Sequence, residues 1–189
     1  TSAAEGRLPT QSELRRAWVA RKGEVRNACL QAVQWAYHYN RTQPKMYGEA
    51  LFAYRRSTRL EDAIGIFSGW NHTFRRRSKD SWWPKPCGLR AACDAARAAG
   101  FDQCFGAAIY SNNFQADDIS KIFCDGQHPC HECRVMMERQ LSSGAPLILC
   151  RERLPCDFEE PGCDTFLVRE TTFGDSFRLH EGRWPRHTG

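Results

Sequence analysis

The sequence predicts a three-layer α/β/α domain built on a mixed five-stranded sheet. Three observations lead there. Helix-like and strand-like segments follow the order helix, two strands, helix, strand, helix, two strands, a pattern that layers helices over a sheet with both parallel and antiparallel neighbours. The 189 residues suffice for one core and a terminal extension but are short for two cores. The composition, 41% hydrophobic and 26% charged, is globular and argues against disorder, collagen or a coiled-coil rod.

Residues 1–11 show no periodicity and are expected to form an arm. The domain proper is expected over residues 12–180, with a tail at 181–189. Ser12 reads as an N-cap; Leu14 and Trp18 are four apart, and Val25, Cys29, Val33 and Ala36 again share a helical face. This predicts one or two helices ending near Asn40, before Gln43-Pro44 breaks the pattern. Glu49 to Arg55 and Ala63 to Trp70 read as strands, and the short polar turn between them predicts an antiparallel hairpin. The segment from Arg75 to Pro86 is polar and proline-rich, as expected of a surface loop.

Residues 87–99 are rich in alanine, the best helix former, and Gly100 supplies a stop. Phe105 to Tyr110 reads as a buried strand. Pro129 to Leu141 reads as another helix, stopped by Gly144, and Pro146 to Cys150 and Thr165 to Val168 complete the sheet. There is no internal repeat. The longest apolar runs are a handful of residues against the roughly 20 needed to cross a bilayer, which excludes a membrane-spanning helix. No secretory apolar region lies near Thr1, and a first residue other than Met is expected to follow a cleavage site or an artificial boundary.

The net charge of +5 is unevenly spread: residues 1–86 carry 16 basic and 7 acidic side chains, whereas residues 87–189 carry 11 and 15. A basic front half suits nucleic acid, an anionic membrane surface or an acidic protein, and equally a plain solvated surface. Arg75, Arg76, Arg77 and Lys79, with Trp82 and Trp83, form an aromatic and basic stretch of the kind on which single-stranded nucleic acid stacks. A tryptophan pair that packs the loop onto the fold or a partner fits the same residues. The tail Arg183-Trp184-Pro185-Arg186 reads as a docking segment or a disordered end.

Ten cysteines are present, fewer than the density that marks small disulfide scaffolds. Cys29, Cys93 and Cys104 lie among apolar neighbours, as buried thiols do. Cys130 and Cys133 form a C-x-x-C at a helix start, where two thiolates point at one cation. A redox pair and two ordinary buried cysteines are the rival readings, and a disulfide set using Cys150, Cys156 and Cys163 is a further one. Cys87 opens another helix and supplies a third zinc ligand if its helix start faces the C-x-x-C. Three thiolates leave Zn²⁺ with one net negative charge, so Arg90 and Arg134 are placed to hydrogen-bond the sulfurs. The inference is a reducing compartment with one Zn²⁺ site.

Cys87-Gly88-Leu89-Arg90 and Pro129-Cys130-His131-Glu132-Cys133-Arg134 resemble the cytidine deaminase family of the three-cysteine zinc type, whose patterns are C-A-E-R and P-C-x-x-C-R. Phe67-Ser68-Gly69-Trp70-Asn71 is similar to the family's strand ending in G-C-N, and Thr171-Thr172-Phe173-Gly174-Asp175 resembles its T-T-x-x-E/D. The resemblance covers about residues 45–180 and implies a cytidine deaminase-like fold.

The departures bear on function. In deaminases the glutamate two residues after the first zinc ligand carries protons between zinc-bound water, ring nitrogen and leaving amine. Leu89 stands there. A group of this kind contributes at least about 10²–10⁴-fold, so ordinary deamination is expected to be lost and no catalytic residue is assigned. Asn71 matches the family's nucleoside-binding asparagine, but His72-Thr73 removes the carboxylate that follows it, so Asn71 is expected to be vestigial. The Cys87 to Cys130 interval is longer than in compact members, and Arg75 to Lys85 is a basic insertion. Glu132, next to a ligand, is turned about 100° away on a helix, and Asp94 is nearly two turns from Cys87, so neither is expected to substitute. His128 and His131 are near enough to serve as a fourth ligand, and equally read as ordinary histidines.

The resulting expectation is a catalytically inactive, zinc-bearing subunit of an oligomer or larger complex. Two alternatives are an active zinc-dependent nucleoside or nucleic-acid base deaminase with rearranged acid/base residues, and a non-catalytic nucleic-acid-binding protein. The basic start and divergent fold suggest a mitochondrial location, with the cytoplasm as the alternative.

Overall fold

A computed structural model describes residues 6–39, 47–70, 88–111, 141, 144–152 and 166–172. Helix α1 (Gln11–Tyr39) is 29 residues long. Its start is set by Thr10 and Glu13: the Glu13 amide donates to Thr10 Oγ1 at 3.2 Å, and the Thr10 amide donates to Glu13 Oε2 at 2.8 Å. The cap is therefore Thr10 and not Ser12, because this reciprocal box satisfies two backbone donors at once. The helix runs unbroken through Gly23, where an added Cβ would meet nothing within 4 Å. Glycine there costs about 1 kcal/mol of helix propensity, and burial of Leu14, Trp18, Val25, Cys29, Val33 and Ala36 along one face outweighs it.

Strands β1 (Tyr47–Tyr54) and β2 (Ile64–Trp70) form the expected antiparallel hairpin, joined through a 3₁₀ turn at Glu61–Ala63. Helix α2 (Gly88–Ala98) and strand β3 (Gln103–Ser111) follow, then β4 (Pro146–Glu152) and β5 (Phe166–Thr172). The sheet order is β2-β1-β3-β4-β5. Only β3 and β4 pair in parallel; β1 is antiparallel to both its neighbours, and β5 to β4. Strands β2, β3 and β4 therefore run the same way, and the sheet is mixed as the sequence predicts. The helix expected at Pro129–Leu141 lies outside the described residues apart from Leu141, which is buried. No helix among the described residues is long and apolar enough to cross a membrane.

The two helices cover opposite faces. On one, Leu14, Trp18, Val25, Cys29 and Val33 of α1 pack on Ala50, Phe52, Ile64, Ala108, Tyr110, Ile148 and Cys150. Trp18, Phe52 and Phe105 meet edge to face with centroids 5.6 to 6.4 Å apart. On the other, Ala96 of α2 and Phe101 pack on Ala53, with Phe67 alongside. A register shift between Phe52 and Ala53 against β3 lets Phe105 stand out of the ladder toward α1.

The far end of α2 is held firmly. Gly100 adopts φ +85°, the Phe101 amide donates to Ala96 O at 2.9 Å and the Gly100 amide to Arg97 O at 2.9 Å, the left-handed C-terminal motif that glycine favours. Arg55 donates to Ala99 O at 3.2 Å and lies 4.5 Å from the Phe101 ring centroid, so a cation from the hairpin caps the helix where its dipole is negative. Fixing the end of α2 in this way also fixes where it begins.

Candidate functional site

The beginning of α2 lies over the carboxyl end of β2. A Cβ on Gly69 would collide with the carbonyl oxygen of Gly88 and lie 2.6 Å from the Ala92 amide, so the helix and the strand touch backbone to backbone. Only glycine permits that approach. The carboxyl ends of co-directional strands, here β2, β3 and β4, are the part of such a sheet where ligands bind.

Glu49 stands in this corner. It is at the head of β1, paired across the sheet with Gly69 on β2 and Ile109 on β3. Among the described residues it is the buried charged side chain, with 3% exposed. Its carboxylate rests against the first residue of α2: a Cβ on Gly88 would run into Glu49 Oε2 and lie 3.0 Å from its Cδ. Gly88 is bonded to Cys87, so a buried carboxylate is brought beside the residue that follows the first expected metal ligand.

Leu89 is also buried, with 3% exposed. Where the resemblance places a proton-carrying glutamate, the side chain is hydrocarbon packed into the fold. Gly88 stands where that pattern has alanine. Arg90 is half-buried in the first turn of α2, and Asp94 is exposed on its outer side. Cys87, Cys130, Cys133, Arg134 and Asn71 lie outside the described residues, as do Glu132, His128, His131 and the stretch Arg75, Arg76, Arg77, Lys79, Trp82, Trp83. Among the described residues, no three His, Cys, Asp or Glu side chains are gathered to hold a metal ion.

The described cysteines are a different population. Cys29, Cys93, Cys104 and Cys150 are all buried free thiols, so Cys150 is not disulfide-bonded. Burial pushes Cys93 up to about 12, against the lowering effect of Arg97, and raises Cys104 further. Cys29 is raised well above its ordinary value by burial first and by Cys150 and Glu49 after it, and it donates to Gly48 O at 3.3 Å. A thiol held protonated in this way is a poor nucleophile and a poor metal ligand. These three fill space, as the sequence suggests.

No family model matches the chain, and no curated protein does. Solved structures do. The chain is similar to a cytidine deaminase from Mycobacterium tuberculosis at 17% identity, over 70% of this chain and 85% of that one, with a TM-score of 0.41. It is similar to a cytidine deaminase from Mycobacterium leprae at 15% identity, over 67% and 85%, with a TM-score of 0.43. A mutant cytidine deaminase from M. tuberculosis matches at 16% identity, over 89% and 94%, with a TM-score of 0.44. Likeness at this level carries no argument about chemistry; the sheet order and the two helix-covered faces establish the fold on their own.

Glu49 is the residue that sequence reasoning missed. The signal was present: Ala50-Leu51-Phe52-Ala53 is apolar on both sides, which marks a central strand with two covered faces. A glutamate at its head is then forced inward whichever way the strand is turned.

Proposed function

We propose that this chain is a zinc-bearing, cytidine deaminase-like domain in which ordinary deamination is silent, and that it serves as a structural or interaction subunit of an oligomer or larger assembly. The observation that supports this reading is Leu89. It sits buried in the first turn of the helix that follows Cys87, and a hydrocarbon neither accepts nor donates a proton. Cys87, Cys130 and Cys133 are the thiolates in this reading, with Arg90 and Arg134 offsetting their charge. The four buried free thiols suit a reducing compartment, mitochondrial or cytoplasmic.

Zinc-loaded full chain incubated with cytidine, and separately with a cytosine-containing single strand, is expected to release no ammonia above a zinc-free control. Leu89→Glu is expected to restore little, because His72-Thr73 also departs from the nucleoside-binding pattern. Turnover by the unmodified chain would overturn the silent reading. One observation favours a second reading, an active deaminase with rearranged acid/base residues: Glu49 brings a carboxylate to the start of the same helix. Zinc-dependent ammonia release abolished by Glu49→Gln would establish it. Salt-sensitive binding of RNA or DNA without turnover would instead point to a nucleic-acid-binding role for the basic half.

A further inference from the structure

We infer that the outward face of helix α1 binds the sugar-phosphate backbone of a nucleic acid, along a line centred on Gly23. The inference gives the nucleic-acid reading of the basic half a surface and does not depend on zinc or on Leu89. A silent domain within a larger assembly can hold nucleic acid in this way.

The argument begins with charge. Residues 6–39 carry six basic and two acidic side chains. Both acids are engaged: Glu13 pairs with Arg7 at 2.7 Å and Glu24 with Arg21 at 2.9 Å. Among the described residues, no carboxylate pairs with Arg15, Arg16 or Arg26. Arg15 and Arg16 are exposed. Arg26 is half-buried and reaches Asn27 Oδ1 only at 3.5 Å, and its buried Nε has no hydrogen-bond partner. A guanidinium with an unmet donor gains more from an incoming acceptor than one already satisfied. From Arg15 to Arg26 the helix rises about 16 Å, a length over which one strand of a duplex presents about five phosphates.

What surrounds these cations selects the partner. The apolar stripe of α1 is turned onto the sheet. The opposite stripe, Arg16, Ala20, Gly23, Asn27, Gln31 and Gln34, is exposed throughout. A helix lying on a membrane needs bulky apolar side chains facing outward, and a protein interface needs a desolvated aromatic or apolar centre. Val19 and Trp35 are the exposed large apolar side chains described on α1; they lie about 160° apart around its axis and form no such centre. Arginine, asparagine and glutamine instead match the polar, hydrated contacts made to phosphate and sugar. Gly23 is a second mark. Glycine there lowers helix propensity, and packing within the chain does not require it, since an added Cβ would meet nothing within 4 Å. On the outward stripe it lets a partner's backbone approach closely.

The test is fluorescence anisotropy of the full chain with labelled strands of about 20 nucleotides, as single-stranded RNA, duplex RNA and duplex DNA, between about 50 and 200 mM salt. Wild type is expected to bind at least one of them, with affinity falling steeply as salt rises. The paired change Arg15→Gln and Arg16→Gln is expected to reduce the slope of log Kd against log salt by about 2 for a duplex. Gly23→Leu is expected to raise the melting temperature, because leucine is the better helix former, and yet to weaken binding. A glycine with no role in binding would not give that combination. No binding by wild type would overturn the inference and leave the silent zinc reading standing, whereas cytidine turnover would overturn that reading and leave this one. Unchanged binding in either α1 variant would overturn the inference, as would loss confined to the combined change Arg75→Gln, Arg76→Gln and Arg77→Gln. Equal salt-sensitive binding of polyglutamate would overturn the choice of nucleic acid.

Discussion

The two faces of the sheet are built on different rules. Under α1 the contact is made mostly by bulk: Trp18, Phe52 and Phe105 interlock, Leu14, Val25 and Val33 pack in the same cluster, and Gly48 and Gly106 leave room for Val33 and Trp18. Under α2 the contact is made by absence. Gly69 and Gly88 remove side chains where the helix meets the sheet, and what enters the gap is a carboxylate. The first face needs volume and tolerates little loss of it. The second needs space at one point, and tolerates little gain of it.

The largest expected effect breaks the first face. Phe52 is fully buried on β1 at the centre of the aromatic group, and Phe52→Ala is expected to cost about 3–5 kcal/mol in denaturant unfolding. If the division between faces holds, zinc per folded chain is unchanged in this variant. Loss of metal from chains that remain folded would show that the faces are not separable.

The second face is broken by adding a methyl group. Gly69→Ala places its Cβ on backbone atoms of α2, which cannot rotate away, so roughly 1–3 kcal/mol of destabilisation is expected. Gly88→Ala places its Cβ on the end of the Glu49 side chain. Its cost should therefore be relieved in part in a Glu49→Ala background, the 2.9 Å approach to Gly69 O remaining, whereas the cost of Gly69→Ala should not be relieved at all. A double-mutant cycle by denaturant unfolding separates the two. Additive behaviour of Gly88→Ala and Glu49→Ala would mean that the carboxylate does not occupy that gap.

This difference also explains what was legible in the sequence. The α1 face announced itself, because bulk leaves a periodic record: Leu14 and Trp18, then Val25, Cys29 and Val33, fall on one helical stripe, and the strand runs match it. Cys29, Cys93 and Cys104 were readable as buried thiols for the same reason. The α2 face left a weaker record, since a glycine signals a turn, a bulge or a close approach with equal force. Gly69 was legible only as part of a resemblance, and Glu49 only as a strand residue. What buries it is the close seating of α2 over the sheet, where Glu49 Oε2 lies against Gly88, and the other end of that helix is held by Gly100 and Arg55. The cap of α1 was missed more simply: Ser12 and Thr10 both suit the position, and only the reciprocal bond to Glu13 decides between them.

The smallest expected effect sharpens the same contrast, because it concerns the start of α1, where the half-buried Glu13 carboxylate pairs with an exposed Arg7. Glu13 accepts two bonds from Arg7 at 2.7 and 2.8 Å and one from the Thr10 amide. The hydrogen bonds from Arg7, and after them the Thr10 amide, pull its carboxyl down to about 2 from an ordinary 4.5. A depressed carboxyl stabilises the fold only while ionised. The contribution is fully present above about pH 4.5 and is lost as the pH falls toward 2. Glu13→Gln should therefore flatten the stability profile across that window and leave the region above pH 5 parallel to wild type. Thr10→Ala, which removes the other half of the box, should lower stability by about 1 kcal/mol at neutral pH. An unchanged acid profile in Glu13→Gln would mean that solvent already neutralises the pair. Helix α1 would then owe its start to the apolar stripe that begins at Leu14.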